Sequence, residues 1–322
     1  MSVAPHSAPS ERRLAHFPIS FFAVVMGLSG FAISWYAIGW PLTETICWIW
    51  NALASGVFIV VSALYLTKIL RYPAHVVAEL HHPVKLNFFP AFSISLLLLS
   101  ILWKSVPALS LGLWTAGAVV QIVLTLYVMR SWIHKPHYTM DHVNPSWFIP
   151  VVGNIIAPIT GSHLGFMEIS WFFFSIGLLF WLVLFTVVLY RLFFHEPLTP
   201  KLTPMLFILL APPSIGFVAY TSMVGELDIF ARVLYYSAVF IALVLLTSAS
   251  TFIRLPFFLS SWAYSFPFAA LTIATIKMGH LHGHTIFVLL GSGLIVLLTA
   301  LIALLLGLTL RAMARGQICV PE

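Results

Sequence analysis

The chain has 322 residues, of which 61% are hydrophobic and only 7% charged, with a net charge of +6 and a mean hydropathy of +1.04. Water-soluble packing in one or two domains does not bury that much apolar surface. Composition therefore excludes a soluble globular or a disordered protein and points to a chain that crosses a membrane many times.

A membrane-crossing helix needs about 20 predominantly apolar residues. In chain order ten stretches meet that need: 17–36, 45–67, 86–103, 107–129, 146–163, 169–194, 203–222, 229–252, 257–277 and 284–310. The connections are short, so the chain reads as one all-α transmembrane domain over 17–310, with short tails at 1–16 and 311–322. Arg12 and Arg13 precede an apolar stretch too long for a signal-peptide core, which makes the first span an anchor that is kept. Cys47 and Cys319 fall on opposite membrane sides in this layout, against a disulfide framework or a cysteine metal site.

Orientation follows the basic residues. Twelve of the fifteen, among them Arg12, Lys68, Arg71, Lys85, Arg130, Arg191, Lys201 and Arg311, fall in the termini and even-numbered loops; only Lys104, Arg232 and Lys277 fall on the other side. That bias places both termini in the cytoplasm. The basic balance thus reports topology, not nucleic-acid binding, since no basic run is interleaved with exposed aromatics.

Proline follows helix parity. Pro18, Pro90, Pro150, Pro158, Pro212, Pro213 and Pro267 lie in odd spans, whereas even spans have none inside and Pro107 opens the fourth. The element recurs roughly every sixty residues, which reads as five helical hairpins, each one kinkable helix plus one straight helix. A proline inside a helix frees the carbonyl four residues earlier, Ala263 for Pro267 and Ile208 for Pro212. In lipid such groups need partners, so the odd helices are expected to form an inner ring around a central pore and the even ones an outer ring. The competing reading is a solid bundle that the prolines merely kink.

All nine acidic residues fall in loops or at span ends, so no carboxylate ladder for protons crosses the bilayer. An inner ring without buried negative charge admits anions. In the ninth span, helical spacing puts Phe266, Ala270, Ala274 and Lys277 on one face, with Lys277 about 16 Å outward of Phe266. A small-residue stripe capped by one cation suits an anion entrance at the external mouth; alternatively Lys277 snorkels to the interface. His280, His282 and His284 lie in a short external loop without a nearby cysteine or carboxylate, so neither a metal site nor a cofactor is expected, and pH sensing is the other use open to them. His81 and His82 read as interfacial. No phosphate loop, nucleophile elbow or paired-carboxylate site is present, so no enzyme is expected.

Three segments, "RYPAHVVAELHHPVKLNFFPAFSIS" (71–95), "PSWFIPVVGNIIAPITG" (145–161) and "SWAYSFPFAAL" (261–271), carry a resemblance. Together they resemble the tellurite-resistance and dicarboxylate transporter family, which includes bacterial TehA, yeast malate and sulfite transporters and the plant guard-cell slow anion channels. The resemblance covers nearly the whole chain. It implies ten helices as five quasi-symmetric hairpins, a pore through each subunit of a homotrimer, and occlusion of that pore by the phenylalanine before the mid-span proline, Phe266 here. The expected function is a channel for small anions of the chloride, nitrate, malate or sulfite class in a bacterial inner membrane. The alternative is a carrier for dicarboxylate or sulfite, with or without protons; a non-transporting membrane scaffold is the third class.

Overall fold

The computed structural model describes residues 13–40, 43–136 and 138–320; most of the expected N-terminal tail lies outside them. Among the described residues the chain is helical, with no strand. The principal helices are α1 (Phe22–Ile38), α2 (Thr43–Arg71), α3 (Pro73–His81), α4 (Pro90–Leu102), α5 (Pro107–His134), α6 (Phe148–Val152), α7 (Ala157–His163), α8 (Met167–Phe194), α9 (Ala211–Val224), α10 (Ile229–Thr247), α11 (Ala249–Arg254), α12 (Ser265–His282) and α13 (Thr285–Ala314).

Nine helical stretches of the described chain are long and apolar enough to cross a membrane. The fifth expected span is different. Residues 145–163 are helical but broken into four pieces, of which α6 and α7 are α-helical. The eighth ends at Thr247, short of the expected 252, and α11 follows a break at Ser248.

Parity separates inner from outer elements. Of the odd spans that are continuous, 67–72% of residues are buried, against 22–33% for the even spans. The inner elements close a ring: α1 packs on α12 and α4, α4 on α6 and α7, α7 on α9, and α9 on α12. Each inner helix also packs on its following outer helix. The outer helices turn residues such as Ile59, Leu126, Leu182, Phe240 and Leu304 outward. That surface suits lipid and is why these helices are apolar all round.

The prolines do not sit mid-helix as expected. Each odd span opens with a 3-10 stretch, Ile19–Phe21, Lys85–Phe88, Thr203–Leu210 and Leu259–Tyr264 among them, and the α-helix proper begins beyond it. Pro90, Pro158, Pro212 and Pro267 occupy the first turn of α4, α7, α9 and α12, where a missing amide is tolerated. The carbonyl expected to be freed at Ile208, and two others in the same relation to a proline, are taken up locally. Phe89 donates to Leu86, Ala157 to Asn154 and Ala211 to Ile208, in each case the residue before proline to the carbonyl that proline leaves vacant. A 3-10 hydrogen bond spans three residues instead of four, so it ends one step ahead of the proline.

The broken fifth stretch draws on its outer neighbour as well. From α5, Gln121 Nε2 and Thr125 Oγ1 donate to the Pro150 carbonyl at 3.0 and 2.7 Å, and Trp114 Nε1 to that of Ala157 at 2.8 Å. Ser93 of α4 donates to Gln121 Oε1 at 2.7 Å, completing the network.

At the end of α2 the sequence gives two loop charges, and the structure buries both. Lys68 Nζ is 2.9 Å from Glu79 Oε1 and donates to the Phe17 carbonyl at 2.8 Å, while Tyr65 donates to Glu79 Oε2 at 2.8 Å. The side chains are 1% and 9% exposed. At the opposite membrane side Asp228 caps α10 through the Ala231 amide and accepts from Tyr220; those two donors hold its carboxyl below the usual range. That support is present above the ordinary carboxylate pKa and is lost as acid titrates the group.

Removing one partner of a buried pair leaves an uncompensated charge, which costs about 3–5 kcal/mol. Glu79→Ala is therefore expected to lower the melting temperature of the detergent-solubilised protein sharply, and a Lys68→Met/Glu79→Leu double variant to recover most of the loss. Equal melting of Glu79→Ala and the unaltered protein would remove the pair from the stability account.

Candidate functional site

The ring encloses a slot. Its wall is made by residues from all five odd elements and by none from the even helices: Ser20 to Met26, Phe88 to Ile94, Phe148 to Ile156, Met205 to Ile215 and Leu259 to Pro267. In four of the elements the lining portion is the 3-10 lead-in and the first α-helical turns; in the broken fifth it is α6 and the 3-10 turn that follows it. The slot is open to solvent at one end, and about 80 Å³ of it admits the centres of water molecules. At about 10–15 Å³ per water, the slot is narrow and holds a few waters.

Phe266, 7% exposed, is part of the lining. Local sequence explains its position. Leu259–Tyr264 forms the 3-10 lead-in, Ser265 Oγ donates to the Trp262 carbonyl at 2.6 Å, and Trp262 Nε1 donates to Thr309 of α13 at 2.9 Å. The start of α12 is thus anchored to the outer ring. Across the ring, α1 presents Gly30 to Phe266. A Cβ on Gly30 would stand 3.2 Å from Phe266 Cδ2 and 3.0 Å from the Ala269 Cβ, and one on Gly27 would overlap Ser265. These glycines, one helical turn apart, let α1 and α12 approach closely beside the ring of Phe266. The sequence reading missed both, although a Gly-x-x-Gly pair facing a small-residue span is a signal for close packing.

Of the residues singled out from sequence, Phe266, Pro212 and Pro267 line the slot. Pro18, Pro90, Pro150, Pro158 and Pro213 stand at helix starts in the ring without being part of that lining. Ala270 and Ala274 are fully buried further along α12, and the slot does not reach them. Lys277 lies three turns beyond Phe266 and does not snorkel: its Nζ donates to Ser222 Oγ at 2.7 Å and to the Val218 carbonyl at 3.1 Å, both on α9. His280, His282 and His284 are exposed around the left-handed turn at Gly283. Among the described residues no group of three or more His, Cys, Asp or Glu is placed to share a metal ion.

The fold and the slot define an integral membrane protein with an apolar passage walled by five inner helical elements. The family model described as "SLAC1: Voltage-dependent anion channel" matches residues 16–310, and the chain belongs to that family. It is 31% identical to the S-type anion channel SLAH3 of Arabidopsis thaliana, over 84% of this chain and 44% of that protein. It is 29% identical to an uncharacterised transporter of Methanocaldococcus jannaschii, over 87% and 90% of the two chains. With the tellurite resistance protein TehA homolog of Haemophilus influenzae it shares 26% identity over 93% and 92%. The chain spans about half the length of the plant relatives it matches. Members of this family are channels and transporters, and their names support anion transport as the general activity.

Overpacking a closely packed contact costs typically about 1–3 kcal/mol. Gly27→Val is therefore expected to lower the thermal stability of the solubilised protein, while Gly293→Ala, on α13 with open space around it, leaves it unchanged. Equal melting of the two variants would show that the α1–α12 contact is looser than described.

Proposed function

We propose that the protein is an anion channel in which small anions pass through the slot and Phe266 closes it. The observation that carries this reading is that Phe266, a bulky buried ring, lines the narrow space walled by all five inner elements. A bulky ring across a narrow apolar passage gates by steric block and by dewetting.

Electrostatics support the choice of anion. The five inner elements present their N-terminal ends around the slot, and each helix carries about half a positive elementary charge at that end. Among the described residues no carboxylate lines the slot. The field therefore favours anions without offering a tight site, which suits ions that lose their water easily, such as chloride or nitrate. At the far end of α12, Lys277 with Ser222 marks the external mouth, Ala270 and Ala274 bridging the distance to Phe266. With both termini cytoplasmic the slot opens to the cytoplasm of a bacterial inner membrane, residues 17–310 form the channel and 1–16 and 311–322 its tails. A homotrimer with one passage per subunit completes the reading.

Two measurements test it. In planar bilayers, Phe266→Ala is expected to carry a much larger current than the unaltered protein, reversing at the anion equilibrium potential and indifferent to an imposed pH gradient. Silence of both forms, together with saturable malate or sulfite uptake into liposomes that responds to a proton gradient, would replace the channel with a carrier. Lys277→Met is expected to reduce anion-over-cation selectivity severalfold while Lys277→Arg preserves it; unchanged selectivity in Lys277→Met would remove this residue from the pathway.

A further inference from the structure

Trp262 stands in the wall of the slot, four residues before Phe266 and 1% exposed. Its indole reaches from the inner to the outer ring, where Nε1 donates to Thr309 Oγ1 at 2.9 Å. Thr309 in turn donates to the Leu305 carbonyl at 2.7 Å, which leaves a lone pair of its oxygen for the indole. The other buried residues of α13 are Gly291, Ile295, Leu298, Ile302, Leu305 and Ala312, so Thr309 is the one polar side chain on that face. Satisfying a buried N–H does not by itself account for the hydroxyl. The indole nitrogens of Trp35, Trp132 and Trp181 are enclosed as well, and none has a partner among the described residues.

What distinguishes Trp262 is what hangs on it. Its carbonyl accepts from both the amide and the hydroxyl of Ser265, the latter at 2.6 Å, so the residue next to Phe266 is tied to it twice. On the other side α1 stands close: a Cβ on Gly27 would lie 3.0 Å from Trp262 Cε3. The backbone that carries Phe266 therefore rests on Trp262, and Trp262 is fixed to the outer ring at Thr309. We propose that Thr309, which is no part of the slot wall, is a positioning residue for the gate: through the indole of Trp262 it holds Phe266 in the closing position. Without that acceptor the lead-in Leu259–Tyr264 shifts more freely, and the ring of Phe266 leaves the slot more often. The inference rests on the channel reading above, in which Phe266 closes the slot.

The test is the resting anion current of full-length variants in planar bilayers. Thr309→Val keeps the shape of the side chain and removes the acceptor. It is expected to raise the resting current about fivefold, the weight of one neutral hydrogen bond in a two-state equilibrium, and Thr309→Ser to restore the low current. Added to Trp262→Phe, which already lacks the donor, Thr309→Val is expected to change nothing further. In a Phe266→Ala background it is likewise expected to add nothing, because the ring through which it acts is gone. A merely structural defect lowers both current and stability and does not produce this pattern. Unaltered or lowered current in Thr309→Val beside a raised current in Phe266→Ala, or an equal effect of Thr309→Val with and without Phe266, would overturn the proposal and leave the channel standing. Silence of every form, Phe266→Ala included, sinks the channel instead, and a second readout then decides on Thr309. With Cys47 and Cys319 replaced by serine, Met26→Cys in the slot wall is labelled with methyl methanethiosulfonate. Faster labelling in the presence of Thr309→Val retains Thr309 as the residue that positions the ring, and an unchanged rate removes it.

Discussion

Inside a bilayer no water is available to the backbone, so every amide and carbonyl at that depth must find a partner within the protein. The architecture follows from how the chain meets this requirement while carrying prolines in alternate spans. Pro90, Pro158 and Pro212 each leave one carbonyl without its usual α-helical donor, and each time the preceding residue supplies a 3-10 hydrogen bond in its place. At the broken fifth stretch polar side chains of α5 reach across in addition, to the Pro150 carbonyl. Irregular backbone therefore lies inside the ring, where it borders protein or the slot, and regular α-helix faces lipid.

Because the lead-ins all stand at the N-terminal ends of the odd spans, the slot is asymmetric along its axis. It borders the irregular lead-ins and the first α-helical turns, and further along the helices α1 and α12 pack closely through Gly30, Ala269 and Phe266. The formal charges are kept elsewhere. Lys68 and Glu79 neutralise each other beneath the first span, and Lys277 is held on α9 three turns past the ring of Phe266.

Much of this was legible in the sequence, for a specific reason. Parity of proline and uniform apolarity of the even spans both follow from which side of a helix meets lipid, and they anticipated the inner and outer rings. That Phe266 precedes a proline in the ninth span was legible in "SWAYSFPFAAL", but both residues stand at the start of α12 and not at its middle. What stayed hidden depends on partners distant in the chain. Gln121 and Thr125 look like stray polar residues in an apolar span until the Pro150 carbonyl is set beside them. Lys68 and Glu79 read as loop charges because their pairing requires α3 to fold back on α2. The 3-10 lead-ins were missed because proline signals a disturbed helix without saying that the helix has not yet begun. Helical spacing put Ala270, Ala274 and Lys277 on one face with Phe266, but spacing carries no information about where free space stops, and the slot does not reach them.

The contact between α1 and α12 joins the first hairpin to the last. Gly27 and Gly30 meet Ser265 and Ala269 more than two hundred residues away in the chain, so the ring has a seam. A ribosome that delivers the hairpins in order leaves this seam open until the fifth has entered the membrane, and loop closure over such a distance is slow compared with the neighbouring contacts. The slot is thus a property of all five hairpins together: until the last one arrives, the chain has inner helices and prolines but no enclosed space between them.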